Sequence, residues 1–184
     1  VAVSIAPAAS TAGAILSVTF FDTDRGDMIL IETPGDRQAL IDGGRDLDGA
    51  VRALGGTLPF WDRSLDLVAL THPHADHVGG LLKVLERYQV DLVLDSPIEH
   101  ETNIYDTWLR LVDSSAAGHL IAAPGQRIAL DRDVVLEVIG AGASPWSSDV
   151  NDASVVLRLS YRDVSFLFTG DMSTAVERRL LGRN

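Results

Sequence analysis

Apolar positions fall into short runs broken by turn residues, and their spacing predicts strands and helices in mixed order. Ile15 to Phe21 is an apolar, β-branched run that ends at Asp22 and reads as a strand. Asp22 to Asp27 reads as a turn, Met28 to Glu32 as a second strand, and Pro34-Gly35-Asp36 as a tight turn. Gln38 to Ile41 returns as a third strand and stops at Asp42-Gly43-Gly44, which completes an antiparallel meander. Leu47 to Leu54 fits one helix of two turns, and Leu65 to Leu70 is a continuous apolar run suited to a strand covered on both faces. Gly79 to Tyr88 has helical spacing, Val90 to Leu94 reads as another buried strand, and Ile104, Trp108, Leu111 and Val112 mark an amphipathic helix.

From His119 the pattern returns to strands, at His119 to Ala122, Arg127 to Leu130 and Val134 to Ile139. A polar loop from Ala141 to Asp152 leads into Ser154 to Tyr161 and then Val164 to Thr169. The last element is a helix from about Thr174 to Leu181, with Thr174 and Glu177 placed as a capping box. Strands and helices alternate without a strict βαβ rhythm. The order predicts an α/β fold of two mixed sheets packed face to face with helices outside, an αββα sandwich.

Length adds one domain as the expectation, since 184 residues can bury a real core. Residues 1–21 carry no charge, but Pro7 and Gly13 interrupt them and no basic residue precedes them. They make a poor membrane helix and a poor signal peptide, so Val1 to Gly13 reads as a linker or a processed leader, with the domain over 14–184 and no membrane insertion by this chain. The balance of 26 acidic to 15 basic residues gives a net charge of −11. No basic stripe is visible, which argues against a domain that holds nucleic acid by counterion release; the nearest cluster is Arg178, Arg179 and Arg183. The absence of cysteine excludes disulfides, thiolate zinc sites and a Cys nucleophile, so any metal sits on His and carboxylate.

Such a set exists. His72-Pro73-His74-Ala75-Asp76-His77 gathers three of the five histidines and a carboxylate just past a buried strand. In an extended segment residues two apart point the same way, so His72 and His74 can share one ion, while Asp76 and His77 can reach a second. Gly79-Gly80 is expected to let the backbone bend before the helix. Imidazole with carboxylate and no thiolate suits zinc, manganese or iron. Asp171, in Thr169-Gly170-Asp171 at the end of a buried strand, is a candidate to bridge two metals; a plain helix-start Asp is the other reading. Asn151, Asp152 and Ser154 can orient substrate, support the ligands or simply form a turn. Asp22, Asp24, Asp27 and Asp42 read as turn formers or as supports for the histidines, the turn favoured for the first three and the support for Asp42, and His100 and His119 read as surface or internally satisfied residues.

With these residues the chain resembles the metallo-β-lactamase superfamily, and within it the C-terminal domain of ComEC-type competence proteins, the membrane channels of bacterial DNA uptake. The likeness rests on Phe20 to Glu32 with Gly26-Asp27, on Leu40 to Gly44, on Thr71 to Gly80, and on Asn151 through Asp171. It implies two divalent metal ions, zinc or manganese, with His72, His74, Asp76, His77 and Asp171 as ligands. Asp76 would also have a catalytic part in orienting the attacking water, which cleaves an ester, amide or phosphodiester. It further implies single-stranded DNA as a partner, a tether to a membrane channel, and a bacterial extracytoplasmic or membrane-associated setting. Departures are Thr23-Asp24-Arg25 within the first block, Val150-Asn151 where the superfamily has a third-motif histidine, and a His-His-Gly-Ser motif expected beyond Asn184. The domain is therefore expected to be incomplete at its C-terminus, and this fragment to be weakly active or inactive. Two further readings stand beside a DNA phosphodiesterase: a small-molecule hydrolase of the same fold (lactonase, thioesterase or β-lactamase-like), and a non-catalytic module of a channel.

Overall fold

A short strand, β1 (Ala2–Ser4), comes first in the computed structural model, which describes residues 2–4, 15–141 and 149–182. Strands β2 (Ser17–Phe20), β3 (Ile29–Glu32), β4 (Gln38–Ile41), β5 (Ser64–Ala69), β6 (Gln89–Asp95) and β7 (Gly118–Ile121) then form a six-stranded sheet in chain order. The β2–β3–β4 meander is antiparallel, and β4 to β7 run parallel. Parallel neighbours need a crossover connection. Helices α1 (Gly49–Thr57), α2 (Ala75–Arg87) and α3 (Asn103–Ser114) supply the three crossovers. The second sheet holds β1, β8 (Arg127–Asp131), β9 (Val134–Gly140), β10 (Val156–Tyr161) and β11 (Val164–Phe168) in that order, antiparallel except for β1 beside β8. Helix α4 (Thr174–Leu181) ends the described chain. The fold is thus an α/β sandwich of two sheets with four helices, as the sequence predicted.

Strand alternation builds two cores. On β3, Leu30 faces the helices while Ile29 and Ile31 face the second sheet; on β6, Val93 faces the helices while Leu92 and Leu94 face the sheet. This is why these strands read as continuous apolar runs. The helix-side core contains Leu54, Val78, Leu81, Val84 and Trp108, and the inter-sheet core contains Ile128, Leu136, Leu157, Leu159 and Phe168. Each fully buried side chain of this size contributes about 1.5–3 kcal/mol at most.

Several boundaries differ from the sequence reading. Helix α2 starts at Ala75 rather than Gly79, because His74 O accepts from the amides of His77 and Val78 and closes the first turn inside the motif. Gly79 and Gly80 therefore do not bend the chain before the helix; they let a loop lie directly on it. A Cβ on Gly80 would stand 2.1 Å from Gly43 O, and one on Gly79 2.6 Å from Arg45 O. Helix α1 begins at Gly49, leaving Leu47 exposed, and runs through Gly55-Gly56. On α3 the buried stripe is Tyr105, Trp108 and Val112, with Ile104 and Leu111 only partly covered. The capping box does not form: Ser173 occupies the N-cap without a side-chain bond, and α4 buries none of its residues. Ala2–Ser4 lies along β8 as a parallel strand, so the linker reading does not hold for those three residues. The rest of 1–13 lies outside the described residues, as do 142–148 of the polar loop and Arg183.

Candidate metal centre

Ligands gather where the carboxyl ends of parallel strands open a crevice. Asp42 follows β4, Thr71 to His74 follow β5, and Asp171 reaches the same rim from β11 of the other sheet. Asp42 takes a left-handed backbone (φ 54°), which Asp tolerates better than most residues, and its amide donates to Ala69 O at 2.9 Å. Gly170 is also left-handed (φ 49°), and a Cβ there would stand 3.1 Å from Thr71 and 3.2 Å from Ser154. That close approach carries Asp171 to the histidines.

The buried carboxylate of Asp42 organises the centre. Its Oδ1 accepts from Thr71 N at 2.8 Å, and its Oδ2 accepts from Thr71 Oγ1 at 2.7 Å and stands 2.8 Å from His77 Nδ1. Thr71 Oγ1, having given its proton to Asp42, accepts from His72 Nδ1 at 3.1 Å. One carboxylate thus fixes a proton on the Nδ1 of both His72 and His77, leaving both Nε2 atoms directed at Asp171. Asp171 Oδ2 lies 3.5 Å from His77 Nε2 and 4.0 Å from His72 Nε2.

The electrostatics of the two imidazoles diverge. Burial, reinforced by the neighbouring His77 charge, pushes the His72 pKa down to about 4. Burial works against a charged His77 as well. There, however, the Asp42 hydrogen bond and the charges of Asp42, Asp171 and Asp27 prevail and raise it to about 9. A neutral imidazole and a site that attracts positive charge therefore sit side by side.

These residues fit a metal ion. His77 Nε2 is buried with no hydrogen-bond partner, the kind of atom that a bound ion satisfies. His72 Nε2, His77 and Asp171 offer ligand atoms within 4.8 Å of one another. Two nitrogens bound tetrahedrally to one zinc stand roughly 3.3 Å apart, given bonds of about 2.0–2.1 Å. His72 Nε2 and His74 Nδ1 are 3.1 Å apart, so these two suit a shared ion.

Other site residues are placed as follows. Asp76 stands in the first turn of α2, half-buried, outside the close ligand groups and near enough to Asp27 to act on its charge. Val150–Ala153 forms a 3-10 turn with Ser154 at its C-cap, tied to the motif by Val155 N donating to Thr71 O at 2.9 Å. Asn151 Oδ1 and Ser154 Oγ are buried there without a hydrogen bond. Asp27 is a correction. Read as a turn former, it joins Asp42 and His77 in a second group within 4.8 Å, and burial followed by repulsion from Asp42 raises its pKa. The Gly26-Asp27 pair was the available signal, since Gly26 (φ 74°) presses against Asp76 O, where a Cβ would stand only 1.7 Å away. His119 is internally satisfied, 3.3 Å from Asp95, whereas His100 packs its ring against His74.

The sequence profile of the metallo-beta-lactamase superfamily matches residues 22–183. The chain belongs to the metallo-beta-lactamase superfamily. Its members are typically metal-dependent hydrolases, in keeping with the His and Asp cluster. None of the curated proteins matches this superfamily member by sequence. Among solved structures it is similar to the Rm3 metallo-beta-lactamase (TM-score 0.54, 20% identity, 82% of this chain and 56% of that one). It is likewise similar to Zn(2+)-bound PqqB from Methylobacterium extorquens (0.57, 16%, 83% and 56%) and to the metallo-beta-lactamase fold protein YhfI from Bacillus subtilis (0.55, 15%, 84% and 59%). At these identities the likeness is one of fold. The chain spans somewhat over half the length of each of these relatives.

Proposed function

We propose that this domain is a metal-dependent hydrolase whose substrate is a phosphodiester, single-stranded DNA in the leading case. The observation that carries the hydrolase reading is the convergence of two Nε2 atoms, both oriented through Asp42, on the Asp171 carboxylate. His72 and His74 would hold one ion, and His77 with Asp171 and Asp76 a second. Bound there, zinc or manganese lowers the pKa of water and stabilises charge on the attacked group. Asp42 and Thr71 keep the imidazoles in the tautomer that presents Nε2, and Asp171, at the mouth, orients the groups that enter.

The phosphodiester reading rests on the competence-type sequence blocks, Phe20 to Glu32, Leu40 to Gly44, Thr71 to Gly80 and Asn151 through Asp171. Bound cations would offset the acidic surface locally. In this reading the parent protein is a bacterial DNA-uptake channel with the domain outside the cytoplasm. No helix among the described residues is long and apolar enough to cross a membrane, so anchoring would come from elsewhere.

The test measures zinc and manganese binding to the chelator-stripped chain. It then compares metal-dependent cleavage of single-stranded DNA and an aryl phosphodiester with that of a lactone, a thioester and a β-lactam. Weak, metal-dependent cleavage that favours the phosphodiesters and is lost in Asp171→Asn is expected. Turnover confined to the small substrates would replace the leading reading with a small-molecule hydrolase, and absence of metal binding would leave a non-catalytic module.

A further inference from the structure

The ion shared by His72 and His74 is short of protein ligands. A catalytic zinc site holds about three protein ligands plus water. Asp171 stands closer to His77 Nε2 (3.5 Å) than to His72 Nε2 (4.0 Å), so it belongs at least as much to the second position. The segment joining β6 to α3 brings a candidate to the open side. We propose that His100 is the third protein ligand of the ion that His72 and His74 begin, an assignment that rests on the metal-centre reading above.

Ring geometry supports this. With Zn–N bonds of about 2.0–2.1 Å, two imidazoles on one tetrahedral ion have ring centres roughly 5 Å apart. The centres of His72 and His74 are 4.8 Å apart, and those of His74 and His100 are 5.6 Å apart with planes at 75°. His100 is half-buried with its ring edge-on to His74, and its ligand atom lies outside the close groups that His72 and His77 form, so a turn of the ring brings its nitrogen to the pair.

The backbone that carries His100 is anchored at both ends. On one side Asp95, fully buried at the end of β6, accepts from Trp108 Nε1 at 3.1 Å and from Ser96 N at 2.8 Å. On the other, Thr102 caps α3 by accepting from Tyr105 N at 3.4 Å and donates its own amide to His100 O at 2.8 Å. A loop tied down this way presents its histidine at a fixed place beside His74.

The experiment is a cobalt(II) titration of the chelator-stripped full chain, read by visible d–d absorption and by competition with a chromophoric chelator. His74→Ala, His100→Ala and His100→Gln are compared with the unaltered protein, and Lys83→Ala, on the outer side of α2 beside Glu86, serves as a control outside the centre. The expected result is that the His74 and His100 variants weaken the same class of site by on the order of tenfold or more and dim the four-coordinate absorption, while Lys83→Ala titrates normally. If His74→Ala loses that class and both His100 variants keep it, the His100 assignment is wrong. If His74→Ala also titrates like the unaltered chain, the shared-ion reading itself fails, and His100 falls with it.

Discussion

Asp42 Oδ2 lies 2.8 Å from His77 Nδ1, and neither side chain has any exposed surface. The same oxygen receives the Thr71 hydroxyl, so the positions of His72 and His77 both depend on one carboxylate. Asp42→Asn keeps the shape but places an amide where a proton acceptor is needed on at least one side. Outer-shell partners of this kind are worth roughly 10–100-fold in metal affinity. Zinc titration against a competing chelator should show a loss in that range with the fold intact by circular dichroism. Unchanged affinity would mean that Asp42 serves the fold rather than the centre.

Much of this was legible in the sequence, because strands buried on both faces leave continuous apolar runs and the histidine motif follows one of them directly. The αββα order, the three helices that fall between the later strands of the first sheet and Asp171 at the end of β11 all came from such local patterns, whereas the parallel pairing that makes those helices crossovers did not. What local patterns do not carry is which distant loops touch. Asp27 looked like turn chemistry, and its proximity to His77 arises only because β2–β3 pairing lays the Gly26 turn on the start of α2. The contact of His100 with His74 likewise depends on where β6 ends beside β5. The early start of α2 was hidden by Pro73 and the histidines, residues that favour loops until tertiary hydrogen bonds close the turn.

Gly26 and Gly55 should respond to the same substitution in opposite directions. A Cβ on Gly26 would stand 1.7 Å from Asp76 O, and the residue has φ 74°, so Gly26→Ala must displace backbone in the metal loop. A loss of about 2 kcal/mol or more is expected, a fall in Tm of roughly 5 °C in a chain of this size. Gly55 lies inside α1 with nothing within 4 Å of its Cβ position. Gly55→Ala should raise stability by about 0.5–1 kcal/mol. Calorimetry of the two variants checks both signs, and equal effects would contradict the packing of the turn on α2.

Asp95 should give the protein a measurable pH dependence. Burial raises its pKa above the ordinary carboxylate value, with the Trp108 and His119 contacts opposing it. A folded pKa above the unfolded one, about 3.9, means that the folded state binds more protons. The stability contributed by this group is therefore complete below about pH 4 and is lost as pH rises through the folded value. Asp95→Asn removes that dependence. The stability of the variant relative to the unaltered chain should improve between pH 4 and pH 7 in urea titrations, whatever the offset at pH 4. A gap that stays constant would show that Asp95 titrates alike in both states.

Thr71 links the two histidines through one hydroxyl, which donates to Asp42 and accepts from His72 Nδ1. Thr71→Val preserves the buried volume and removes both interactions at once. His72 Nδ1 then faces a methyl group in a site with no exposure, and leaving such a group unsatisfied costs about 1–3 kcal/mol. The ring can escape that cost by rotating or by changing tautomer, and either course turns Nε2 away from His74 and Asp171. Metal affinity should fall about tenfold or more, with the ion on His72 affected before the one on His77, whose own bond to Asp42 is untouched. Thr71→Ser restores the hydroxyl without the methyl and should recover most of the affinity. Cobalt titration of the pair distinguishes relay from packing. If Ser is as weak as Val, the methyl group and not the hydrogen-bond chain holds His72 in place.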